Sequence, residues 1–412
     1  MLSRLRPVAV VLVALVAGCD TTLTSGDGGV YVGGRYFGEY LALDGDIALV
    51  SAYDTDEAFV LRLSTSQWDA SARLSPPPGL SDDALFGWSV ALDGRVAAVG
   101  APVLGVAADT TPGRAYVFEE RGGAWTRAVE IAPPAPPIGR TFGSPVAVSD
   151  GRVGAVLGPL VTRPEGDLAD PAAVIFYERA EDGWVEASRI EEVEFERATG
   201  LGGASRFGDG LALDGDRVAI GSPGQDVAGI RGLGVVRVFD RVGGEWSPTA
   251  TLTASVLRQD DGMGGVVALD GPVLVASALG RDVGGSLGGG SAFVFREAGG
   301  AWAYEAELVP ADLTSRDSYG YSIAADGDRV AVSAAGRAGT RGSVFVWVRG
   351  ASGVWELEAE VWPEEAGRGA GFGEGVALDG DRLIAGAIGV GGGKGAVFEF
   401  RRGPDGGREV PR

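Results

Sequence analysis

The chemistry open to this chain is narrowed first by a residue it lacks. It contains no histidine, which excludes a Ser-His-Asp triad, a Cys-His pair and any histidine-ligated metal. No P-loop or dinucleotide fingerprint opens a helix, because the glycine runs 288–290 and 391–393 fall between strand-like stretches. What remains is carboxylate and guanidinium chemistry, with 56 Asp and Glu against 35 Lys and Arg. Two carboxylates suffice for glycoside hydrolysis, but among 56 the spacing singles out no pair. No catalytic residue, metal ligand or cofactor is assigned, and the chain reads as non-enzymatic. The residues that could recognise a ligand stand in long, irregular segments: Asp109, Arg163, Glu165, Asp167, Asp226, Arg231, Arg281, Asp282 and Arg341, with Trp362 as a candidate stacking or anchoring ring.

The elements that must hold these residues are written as a repeat. Phe37-Gly38, Phe86-Gly87, Phe142-Gly143, Phe207-Gly208, Met263-Gly264, Tyr319-Gly320 and Phe372-Gly373 are separated by 49, 56, 65, 56, 56 and 53 residues. Each pair leads into a short apolar run, an Asp-Gly and a second apolar run. A period of this size means stacked supersecondary units that cannot bury their apolar faces alone. The fourth copy reads as four antiparallel strands: 210–213, 217–221, 234–239 and 245–252. Asp-Gly between the first two is a hairpin signal, expected as a type I′ turn with positive φ at both central residues. A tryptophan follows the second hairpin turn in six copies, at Trp68, Trp125, Trp184, Trp246, Trp302 and Trp355. The regularity of these aromatics argues for packing, with the Phe of each Phe-Gly wedged between sheets and the tryptophans along outer strands.

The expected fold is all-β: a seven-bladed β-propeller of four-stranded antiparallel blades over residues 30–405, with a tail at 406–412. The seventh unit ends near Arg401 without a fourth strand. The segment Val30-Tyr31-Val32 is placed to supply it and close the ring; a strand from 407–412, or closure without one, are the alternatives. Strand alternation places both tight turns of every unit on one face of the disc. The long connections 103–111, 161–171, 225–232 and 279–289 fall on the other, where recognition is expected.

The copies resemble the FG-GAP repeats of the integrin α-subunit propeller, most fully in Phe86-Gly87 with Gly100-Ala101-Pro102, and in part at Gly221-Ser222-Pro223 and Gly386-Ala387. The resemblance implies the propeller, not an activity. The calcium loops that several integrin repeats carry between their first two strands are replaced here by Asp-Gly, too short to wrap a cation that takes six to eight oxygens. No metal is carried over.

At the N-terminus, Arg4 and Arg6 precede an apolar stretch from Pro7 to Val16, too short for a membrane span. It ends in Val16-Ala17-Gly18-Cys19, which resembles the lipobox of bacterial lipoproteins. The resemblance implies cleavage after Gly18, acylation of Cys19, a tether over 19–29, and a domain in the periplasm or outside the cell. An ordinary secretory signal is the alternative. Without its leader the chain moves from −21 to −23, which argues against nucleic acid and against lipid binding other than by the anchor. The expected function is that of a monomeric, membrane-anchored envelope scaffold. Its long-loop face would engage an envelope or extracellular protein, or in the alternative a polysaccharide as a lectin or carboxylate-dependent carbohydrate-active propeller.

Overall fold

The computed structural model describes residues 12–13, 36–65, 67–78, 84–103, 113–133, 141–158, 171–192 and 205–402. Seven antiparallel sheets follow one another along the chain, each with strands in sequence order from the inside out. Blades 1 to 6 have four strands each, at 41–74, 89–131, 142–191, 211–252, 263–308 and 319–361; blade 7 has three described strands, at 372–401. A two-residue strand, Leu12–Val13, runs parallel to the outer strand of blade 1. No described helix is long and apolar enough to cross a membrane.

The core is seven wedges rather than one mass. Each seam between neighbouring blades has its own apolar cluster, and the seventh joins Phe37, Val50 and Phe59 of blade 1 to Ala377, Ile384 and Val397 of blade 7. The six aromatics and Met263 that precede the repeat glycines are 0–3% exposed and fill these wedges as expected. The glycine after each has φ between +87° and +101°, and a Cβ there would collide with the preceding blade, as at Gly143 against the Arg114 carbonyl. Across the seam stands the glycine of the second signature: methyl groups at Gly100, Gly221 or Gly386 would sit on the carbonyls of Gly143, Gly264 and Gly38. The two signatures are thus the two sides of one backbone contact between blades.

The Asp-Gly turns differ from expectation. In six blades the aspartate ends the inner strand, and glycine is the first central residue with φ between +50° and +55°. The next residue (Pro272 in blade 5) lacks a positive φ, the pattern of a type II′ turn. Only blade 3 has the type I′ pattern, with Asp150 at +50° and Gly151 at +69°, because its motif is shifted one residue and Ser149 ends the strand.

This shift reveals what the aspartates do. Each strand-ending side chain accepts the turn N–H of the following blade. Asp44 accepts from Gly94, Asp93 from Asp150, Ser149 from Gly215 (2.9 Å), Asp214 from Gly271 (2.7 Å), Asp270 from Gly327, and Asp326 from Gly380. Asp379 accepts from Gly45 at 2.6 Å and returns the series to blade 1. The ring is therefore closed among the described residues. Arg382 adds bonds to the Gly45 carbonyl (2.6 Å) and Asp46, and the indole of Trp68 donates to buried Glu399 at 3.1 Å. Segments 30–32 and 407–412, the candidate fourth strands of blade 7, lie outside the described residues.

Candidate functional site

The two faces of the disc are unequal. On the face of the tight turns, the side chains of six aspartates and Ser149 are engaged in the ring of inter-blade bonds. On the opposite face, the inner strand of blades 3, 5, 6 and 7 leaves its ladder for the three residues after the aromatic, and pairing resumes at Val146, Val267, Ile323 and Val376. The left-handed glycine and this break turn the following residue toward the propeller axis. Glu39, Trp88, Ser144, Asp209, Gly265, Tyr321 and Glu374, one from each blade, line a central cavity of about 520 Å³.

Its electrostatics are those of half-buried acids. Burial pushes the Glu39 carboxyl up to about 7, against a 3.0 Å hydrogen bond from the Tyr53 hydroxyl and with the Glu374 charge adding to the rise. Burial also raises Glu374, to which Tyr321 donates, and Asp209, which is paired with Arg206. Beside Glu39 the rings form a ledge: Tyr36 stacks on Tyr53 (5.1 Å between centroids, 11° between planes), and Trp88 meets Tyr53 edge-on at 5.1 Å. Among the described residues the only cation lining the cavity is Arg206, already paired to Asp209. Among the described residues no three carboxylates approach closely enough to hold a metal ion. This mouth suits a cationic group, drawn by carboxylates and aromatic faces together. Sequence reasoning missed it, although one signal was present: the residue after each aromatic–Gly pair varies between copies whose flanking packing residues repeat.

The residues singled out from the sequence meet different fates. Asp109, Arg163, Glu165, Asp167 and Cys19 lie outside the described residues. Asp226 and Asp282 shape their own loops, accepting the N–H of Gly232 (2.9 Å) and Gly288 (2.7 Å). Arg231 pairs with Asp260 across to the next connection, Nε to Oδ1 at 3.0 Å. Arg281 pins its loop to Glu307 (3.1 Å) and buried Asp261 (3.3 Å). All four are thus engaged in holding the loops, and none of them lines the central cavity. Arg341 and Trp362 are brought together, the guanidinium 4.1 Å above the indole. They lie off the axis, at the rim of the same face.

Comparison with known proteins bears on the fold. Residues 68–118, 246–295 and 302–347 match the FG-GAP repeat, so the chain carries FG-GAP repeats at three positions on a seven-bladed propeller. No curated protein matches the chain. Among solved structures, a candidate 6-phosphogluconolactonase from Bacteroides uniformis is similar at 10% identity and TM-score 0.55, over 85% of this chain and 89% of that one. A protein of unknown function from Desulfotomaculum acetoxidans is similar at 12% identity and TM-score 0.47, over 84% and 89%. At 10% identity the likeness to the Bacteroides protein is one of fold, and the named activity stays with that protein.

Proposed function

We propose that this chain is a non-enzymatic binding propeller that engages a partner protein on its long-loop face by drawing a basic side chain into the channel mouth. One observation carries the reading. Seven blades that repeat their packing residues place six residue types at the axis, with only Glu used twice, and three of the seven residues are carboxylates held half-buried. In a propeller held by repetition, a non-repeating ring is where specificity can reside. A Cys19 lipid anchor on a bacterial envelope membrane completes the proposal and would hold the mouth near its partners.

The test is in-cell crosslinking and pull-down of the full chain beside a Glu39→Gln/Glu374→Gln variant. A dominant partner lost in the variant supports the reading. A partner retained by the variant overturns the mouth as the site. A carbohydrate ligand is the second reading, favoured by the Tyr36–Tyr53–Trp88 ledge beside Glu39. Retention on envelope polysaccharide with no protein captured would replace the first reading by the second.

A further inference from the structure

Arginine in this chain is nearly always spoken for. Among the described residues only Arg127, Arg316 and Arg368 make neither a hydrogen bond nor an ion pair. Two of these three, Arg316 and Arg368, come from different inter-blade connections yet line one cavity of about 850 Å³ at the rim of the long-loop face. Its floor is the 336–341 loop of blade 6, where Ala338, Gly339 and Thr340 all have positive φ (+53°, +74° and +65°). The Arg368 side chain lies over Gly339, so closely that a methyl group there would touch its Nε. Three acids also line the cavity, but each is bound to Arg337: Glu360 at 2.7 Å, Asp312 at 2.8 Å and Asp317 at 3.0 Å. With Arg316, Arg337, Arg341 and Arg368 against those three carboxylates, the lining is positive by one charge in a chain of net charge −21.

The cavity does not end there. It shares Asp312, Glu360 and Trp362 with a second hollow of about 640 Å³ between blades 5 and 6, walled by Val309, Pro310, Phe345, Trp347 and Leu357. One half is apolar and the other carries exposed guanidinium groups, with Trp362 and the Arg341 stacked on it at the junction.

We propose that this bipartite cleft is a second docking site, and that its occupant is an extended segment of a partner protein in which a bulky apolar side chain is followed closely by an acidic one. The apolar side chain enters the hollow beside Phe345 and Leu357; the carboxylate meets Arg316 and Arg368, whose forked donors suit it. The proposal rests on the reading that this face binds protein, but not on the channel mouth.

The experiment titrates the full chain with N-acetylated, C-amidated peptides that pair Leu, Phe or Trp with Asp, Glu, Asn or Gln at spacings of one to four residues, read by fluorescence anisotropy. The acidic peptides are expected to bind at least ~10-fold more tightly than their amide counterparts, with affinity falling as salt rises. Arg316→Ala/Arg368→Ala, both surface changes, should remove that preference while leaving the melting temperature and the amide peptides' affinity unchanged. Leu357→Ser should weaken both peptide classes, and Glu39→Gln/Glu374→Gln should weaken neither. Equal binding of acidic and amide peptides, indifference to the arginine double variant, or no binding below ~1 mM overturns the proposal. So does preferential binding of an oligouronate or a fatty acid. A partner captured as well by the Glu39→Gln/Glu374→Gln variant as by the native chain, with peptide binding intact, would fault only the mouth.

Discussion

Glu39 shows how much one residue's place in the ring can decide. Its folded pKa lies near 7 through burial, against an ordinary carboxylate value of 4.5. Between those values the folded chain keeps a proton on Glu39 that the unfolded chain releases, so this group's contribution to stability is fullest below about pH 4.5 and is lost as pH rises toward 7. The urea midpoint of a Glu39→Gln variant should therefore gain on that of the native chain across this window and stand above it at pH 8. Binding should run the other way. Association with a cationic partner should strengthen as Glu39 ionises around pH 7, and Glu39→Gln should weaken it at least ~10-fold at pH 8 with little dependence left, measurable by titration calorimetry. A partner bound equally at pH 5 and pH 8 would rule out a role for this charge. At this scale the sequence was least legible. Asp226, Arg231, Arg281 and Asp282 looked like free loop charges because their bonding partners are distant in the chain or are backbone groups, as with Glu307 for Arg281. Glu39 was one acid among 56, and only the three-dimensional ring set it apart.

The strand pairs and turns were far more legible, because local chemistry fixes them. Alternation and turn dipeptides located the hairpins, yet the turn type was misread. Asp-Gly suggested two left-handed residues, whereas in six blades the aspartate side chain was needed elsewhere, on the next blade's turn amide. Two glycines separate the roles. Gly94 has φ +55° with open space around it, so Gly94→Ala should cost about 1 kcal/mol from the left-handed backbone alone. Gly143, at φ +87°, would drive a Cβ into the Arg114 carbonyl, so Gly143→Ala adds a clash between blades and should cost about 3 kcal/mol. Chemical denaturation of the two variants measures the gap; equal losses would mean that the seam accommodates the methyl group. The outer hairpins repeat another device. Each of blades 1 to 6 has a register shift between its third and outer strands. In blade 5 the extra residue is Glu305, which reaches across to Arg349 (2.7 Å) and the indole of Trp355 (3.1 Å) of blade 6. The FG-GAP matches begin at or beside these tryptophans, at 68, 246 and 302, and run into the third strand of a blade. The repeat recognisable in sequence thus straddles a seam, which is where its signature residues meet.

For the whole molecule, the question is how a linear chain becomes a ring. The sequence announced seven units and a short seventh, and the structure shows the ring closed; the part of residues 30–32 lies beyond the described chain. The closing seam is held by Asp379 and Arg382 on Gly45, by Trp68 on Glu399 and by the seventh apolar wedge. This seam alone joins segments hundreds of residues apart, so its loss forfeits the closure of a very long loop. Asp379→Ala/Arg382→Ala should lower the melting temperature more than Asp270→Ala, whose seam is also bridged by the chain itself, and should open the termini first to limited proteolysis. Trp68→Phe leaves buried Glu399 without its indole donor and should cost about 1–3 kcal/mol. If thermal unfolding ranks the 5–6 seam as the weaker, the ring is not limited by its ends. One consequence reaches past this chain. The side chains at the seven axis positions do not supply the wedges, the turn bonds or the backbone contacts on which the ring depends. Recognition can therefore drift while the architecture stands still: a handful of codons, one per repeat, would be enough to give an old scaffold a new ligand.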